Sequence, residues 1–255
     1  MSTKFSIMAA VRNGYIFVIR EWRYLARLAI LPTGVLLITN MAIFYNQQYM
    51  TEFMYYALSL PYLTLFGWYL FMLSRLLLLG ERAPFKGSTP EEMRERHHWL
   101  KVTVIVWLLW SAWWAGFKGY CTWFMQNPQL QQSGGANMFL LLLIGASFWS
   151  LRFGVVPLLA SVGYSIKRYI FQVNGIRISL SLLGLSIVCL SPLFFVEAGL
   201  FTLTSPEALT IKTKPTAITV ALAALLMPIE LSLLAASGCY AMKEMLGRID
   251  REKAA

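Results

Sequence analysis

Four ionisable residues sit in stretches of this chain that are otherwise too apolar for water: Lys118, Arg152, Glu197 and Glu230. A charge in hydrocarbon costs several kcal/mol unless it is paired or wetted, so each is expected to face the interior of a helical bundle. Their signs cancel, and counted from the ends of their apolar stretches they form two tiers. Arg152 and Glu230 lie about 21 Å along their stretches at about 1.5 Å per residue. Lys118 and Glu197 lie nearer the opposite boundary. The pattern predicts two interior ion pairs, with Arg152 facing Glu230. Pro157, Pro192 and Pro228 lie near these charges and free backbone carbonyls that other helices or water must satisfy. Two readings follow. The pairs either fix which helix packs beside which, or they line a polar cavity for a solute, a proton or a lipid headgroup.

Catalytic and metal-binding patterns are missing. The chain has no HExxH, GxSxG, P-loop or GxGxxG motif. Its only histidines, His97 and His98, adjoin Glu95. The Glu95–His98 spacing is half of a di-iron motif, which needs a second copy and further carboxylates, so these residues read as a solvated polar face. Cys121, Cys189 and Cys239 fall on three different stretches without a CxxC pair, which argues against a disulfide framework or a zinc site. They read as small apolar packing residues. Trp107, Trp110, Trp113 and Trp114 read as lipid contact or helix packing rather than a stacking site. No cofactor or metal is expected, and no enzymatic activity.

The elements that must carry these residues follow from composition. Of the 255 residues 58% are hydrophobic and 13% charged, with a mean hydropathy of +0.58, outside the range of ordinary soluble domains. A membrane helix needs about 20 mostly apolar residues. Six segments qualify: Leu25–Tyr45, Phe53–Leu79, Trp99–Met125, Met138–Ser165, Ile178–Leu203 and Thr216–Tyr240. They are apolar all round, unlike barrel strands. No small-residue cleavage site closes the first, so it does not read as a cleavable signal peptide. The expected fold is all-α: a polytopic bundle of six transmembrane helices over residues 25–240. An interfacial amphipathic helix precedes it at 1–24, and a basic cytoplasmic tail follows at 241–255.

In the leading segment Phe5, Met8, Val11, Tyr15, Val18 and Trp22 recur at helical spacing between arginines. Pro32 is placed in the opening turns of the first span, where amide hydrogens lack partners anyway. The strongest local signal is Ser88-Thr89-Pro90-Glu91-Glu92, a hydroxyl cap followed by proline and acids. It predicts a helix that begins at Pro90 and runs unbroken into the third span.

Charge orients the bundle. Most of the 22 basic residues lie before the first span, around the second and fourth connections, and in the tail. The other face has only Lys212 and Lys214. Short basic loops stay cytoplasmic, so both termini are expected in the cytoplasm. The net charge of +10 then faces anionic lipid headgroups, each basic residue near the surface contributing about 1 kcal/mol of attraction. Nucleic acid is not needed to explain it.

The stretch Ser150-Leu-Arg-Phe-Gly-Val-Val-Pro157, followed by Lys167-Arg168 and Gly175-Ile-Arg177, is similar to a recurring pattern, and Tyr24-Leu-Ala-Arg27 before Leu31-Pro32 fits it. The chain resembles the membrane domain of six-span glycerophosphodiester phosphodiesterases and related uncharacterised bacterial membrane proteins. The resemblance implies six helices and a bacterial inner membrane. It supplies no activity, because the phosphodiesterase catalytic domain is missing and only Arg152 and Pro157 match pattern positions. The expected function is a noncatalytic bundle acting as a scaffold or partner-binding subunit, through a membrane protein partner or a second copy. The alternative is a small transporter or lipid-handling protein that uses the interior charges.

Overall fold

The computed structural model describes residues 5–83, 89–125, 154–165, 176–204 and 216–254, together with Gly145 and Tyr169. Every regular element among them is helical: α1 (Ile7–Tyr45), a 3-10 turn (Gln47–Tyr49), α2 (Glu52–Leu79), α3 (Pro90–Met125), α4 (Val156–Ala160), α5 (Ile176–Thr204) and α6 (Ala217–Ala254). Five helices are long and apolar enough to cross a membrane, over Ile7–Tyr45, Phe53–Leu79, Pro90–Cys121, Ile178–Leu200 and Ala217–Met245. The protein is a multi-pass membrane protein of the all-helical class. Most of the expected span Met138–Ser165 lies outside the described residues. Its described end is the five-residue α4 followed by a turn, so the helix stops at Ala160 rather than Ser165.

The helix ends follow from local chemistry. Ser6 Oγ accepts from the amide of Ala9 at the start of α1, and Thr51 Oγ1 accepts from Met54 at the start of α2. α2 closes on Gly80, whose left-handed φ of 72° lets the Glu81 amide reach back to the Arg75 carbonyl. At α3 the capping box forms as expected. Thr89 Oγ1 accepts from the Glu92 amide and Glu92 Oε2 accepts from the Thr89 amide, both at 3.2 Å. The helix begins at Pro90 and runs 36 residues without a break.

α1 differs from expectation. The helix is continuous for 39 residues, about 58 Å, with no break between the leading segment and the first span. Its first turns do not stand apart from the bundle: Ala10, Val11, Gly14 and Phe17 are buried. They pack against α6 and α5, and hydrogen and alkyl contacts link Ser6 to Glu244, Ile7 to Gly184 and Tyr15 to Cys189. The opposite face, with Met8, Ile19, Trp22 and Arg23, stays exposed. Pro32 therefore lies deep inside α1 rather than in an opening turn, so the reason given for its tolerance does not apply. A helix interior must absorb the carbonyl it frees.

α6 is built from small residues where its neighbours meet it: Ala235, Ala236, Ser237, Gly238, Cys239 and Ala241 are all buried, with Ser237 against α1 and Gly238 against Leu158 of α4. A Cβ on Gly14 would overlap Ser237 Oγ and come within 2.9 Å of its backbone nitrogen. Lipid tails are as apolar as leucine, so membrane helices associate through close backbone approach of this kind.

Candidate functional site

Polar groups are concentrated in three places. The first is a charged knot at one end of the bundle. Arg75, near the end of α2, is 7% exposed. Its Nε and Nη2 donate to Glu81 at 2.7 and 3.0 Å, and its Nη1 donates to the Ser161 carbonyl just beyond α4 at 2.9 Å. The guanidinium lies over the Phe71 ring. Arg96 of α3 adds a second cation 3.4 Å from Glu81. Hydrogen bonding from Arg75 outweighs burial and, with the positive charge of Arg75 and Arg96, holds the Glu81 carboxyl below its usual pKa. Beside the knot Arg82 donates to Glu21 at 2.7 Å, and Tyr24 accepts from the Ala83 amide. These contacts gather α1, α2, α3 and α4 at one end of the bundle.

On the neighbouring face of α3, His97 and His98 are exposed. Glu95 accepts from Trp99 Nε1 at 3.2 Å. Among the described residues no three His, Cys, Asp or Glu side chains gather as a metal site would require. All three cysteines are free, with Cys189 and Cys239 buried.

The second place is the middle of the bundle. Of the four interior charges singled out in the sequence, Arg152 lies outside the described residues, as does the side chain of Lys118 on α3. The remaining two are brought together: Glu197 of α5 faces Glu230 of α6. Counting from span ends puts these acids in different tiers; the structure brings their side chains within hydrogen-bonding reach of one another. Glu197 also lines a cleft of about 270 Å³ between α5 and α6, with Phe194, Thr219 and Leu222. Like charges at this range repel, and a shared proton or a nearby cation relieves the repulsion.

Polar side chains bond to backbone carbonyls beside two of the prolines. Pro192 has no amide to offer the Val188 carbonyl, and Ser191 Oγ donates to it at 3.2 Å. Tyr15 of α1 donates to the adjacent Cys189 carbonyl at 2.8 Å. Tyr69 of α2 meets Ser232, which donates in turn to the Pro228 carbonyl of α6. These side chains carry no charge and form no motif, so they were invisible in the sequence. Only the position of each proline hinted at them.

The third place is a groove of about 640 Å³ between α1, α2 and α6. Ala26, Ala29 and Gly34 on α1 leave open space beside Pro228 and Ile229 on α6. Tyr69 and Ser232 form its floor, their polar atoms engaged with one another. A smaller cavity of about 140 Å³ lies between α2, α3, α5 and α6, bordered by Leu70, Trp107, Leu185 and Leu231. Trp107 and Trp110 lie 5.3 Å apart along α3 with their rings tilted by 32°, and the buried Trp107 Nε1 has no hydrogen-bond partner among the described residues.

No family model, curated protein or solved structure matches the chain.

Proposed function

We propose that this protein is a noncatalytic membrane subunit that binds partners or lipids through its intramembrane surface and its basic end. One observation carries the reading. The described polar side chains of the knot and the proline sites are engaged in joining helices, while the groove between α1, α2 and α6 is a large apolar concavity open to the bilayer. A catalytic site instead converges several polar groups on one reactive position. The topology that fits has six spans in a bacterial inner membrane, with both termini on the cytoplasmic side. Charge supports it, because basic connections stay cytoplasmic. The meeting of Ser6 with Glu244 supports it too, since it places the start of α1 beside the end of α6.

A second reading, a small transporter or lipid-handling protein, draws on the cleft that Glu197 lines and on its contact with Glu230. Purification from native membranes, followed by reconstitution of the isolated chain into vesicles, separates the two. A stoichiometric protein partner, and vesicles without ion flux or lipid turnover, are the expected results. Flux that disappears in Glu197→Gln or Glu230→Gln would replace the first reading with the second. Reporter fusions at Gln131 and after Ala255 test the topology, and an external reporter after Ala255 would refute it.

A further inference from the structure

We infer that the α1–α2–α6 groove holds an acyl chain of an anionic phospholipid, drawn from the leaflet at the basic end of the bundle. This inference rests on the reading above and names the lipid that the intramembrane surface takes. Three features of the groove select this occupant.

The first is its chemistry. Ile19, Ile30 and Ile229 on its rims are exposed, so the groove opens towards the surrounding bilayer. The polar atoms of its floor are already engaged, Tyr69 with Ser232 and Ser232 with the Pro228 carbonyl. One hydroxyl on the wall, Thr33 Oγ1, has no hydrogen-bond partner among the described residues; a polar solute would need several such groups, whereas the largely apolar lining suits a hydrocarbon chain.

The second is length. The lining follows α1 from Val18 to Leu37, and from Trp22 to its far end that is about 22 Å. A chain entering at Trp22 therefore has room to reach the middle of a hydrocarbon core about 30 Å thick.

The third is charge, and it decides which lipid. Trp22 lines the groove and is 59% exposed, as expected of an indole at headgroup level. Arg23 sets its guanidinium 5.6 Å from the centre of that ring. Arg23 is exposed and makes no ion pair among the described residues. It stands one turn from both Ile19 and Ala26, on the rim of the groove, and Arg12 and Arg27 are exposed on the same helix. A guanidinium so placed meets a phosphodiester at the level where the chain enters, as arginine does at phosphate sites generally.

Gly34 makes the test selective. A Cβ added there meets nothing within 4 Å, so the side chain of Gly34→Leu starts in open space and extends into the groove. The full chain is reconstituted into nanodiscs of equal phosphatidylglycerol and phosphatidylcholine. Chain-labelled phosphatidylglycerol then reports, by electron spin resonance, the fraction of lipid immobilised on the protein. In the unmodified protein an immobilised fraction should favour phosphatidylglycerol over labelled phosphatidylcholine. Gly34→Leu should remove most of that fraction for both lipids while leaving thermal unfolding unchanged. Arg23→Gln should retain the immobilised chain but lower the preference for phosphatidylglycerol by about fivefold.

An immobilised fraction that is unchanged in Gly34→Leu overturns the inference. So does one that shows no preference between the two lipids. If either occurs while a protein partner still co-purifies, the groove assignment falls and the scaffold reading stands. Hydrolysis of the bound phosphatidylglycerol would instead remove the noncatalytic reading while leaving the groove occupied.

Discussion

Glu81 and Glu230 are the same residue type in opposite company. Glu81, just past the end of α2, lies between Arg75 and Arg96 and is held from two sides. Glu230, well inside α6, faces another carboxyl, Glu197. The first arrangement ties helices together, because Arg75 also reaches the Ser161 carbonyl. The second stores a repulsion that a proton or a cation must relieve. Within one bundle, then, the same side chain is satisfied by cations near the water boundary and set against a like charge deeper in the membrane.

The largest expected effect tests the architectural half of that contrast. Glu81→Gln removes the anion from a guanidinium that is 7% exposed. Full burial would put the cost at about 3–5 kcal/mol. The Glu81 side chain is 26% exposed, so a loss of about 2–3 kcal/mol is expected in a reversible unfolding titration in detergent. Replacing both partners, as Arg75→Met with Glu81→Leu, should cost less than the single change. A harmless Glu81→Gln would break the comparison.

Acid should produce a smaller loss through the same pair. The folded Glu81 carboxyl titrates below its ordinary range, held there first by its hydrogen bond from Arg75. Its contribution is therefore complete above the unfolded carboxylate pKa of about 4.3 and disappears as pH falls through the lowered folded value. Stability measured from pH 7 to pH 5 should not change on account of this group. Below that range the unmodified protein should lose stability more steeply than Glu81→Gln. Parallel curves for the two proteins would show that the pair contributes nothing.

Glu230→Gln should have the smallest effect, within about 1 kcal/mol of the unmodified protein, because it removes a like-charge contact rather than an ion pair. Unfolding as severe as that of Glu81→Gln would mean that Glu230 has a cationic partner, as the expected pairing with Arg152 requires. The same titration thus sharpens the comparison or replaces it.

Much of this architecture was legible in the residues. Apolar stretches of membrane length marked α1, α2, α3, α5 and α6. The Thr89–Glu92 capping box marked the start of α3 to the residue. The clustering of basic residues anticipated the end of the bundle where Arg75, Arg82 and Arg96 meet their acids. The candidate site was legible only in part. Glu197 and Glu230 stood out because a carboxyl in an apolar run is costly wherever the helix packs. Arg75 did not stand out, because at the edge of a span it read as one more cytoplasmic cation.

The sequence by itself determined which segments are helices and where several of them start and stop, because hydropathy, capping and turn chemistry act over a few neighbouring residues. Only the tertiary structure decided that the leading segment joins α1 and packs against α5 and α6, and that Tyr15 and Ser191 serve the carbonyls beside Pro192. It also decided that Glu197 meets Glu230, and that small residues leave a groove beside Pro228. Each of these depends on the closeness of helices far apart in the chain. That is set by how backbones approach one another, as at Gly14 against Ser237, and no local pattern of residues records it.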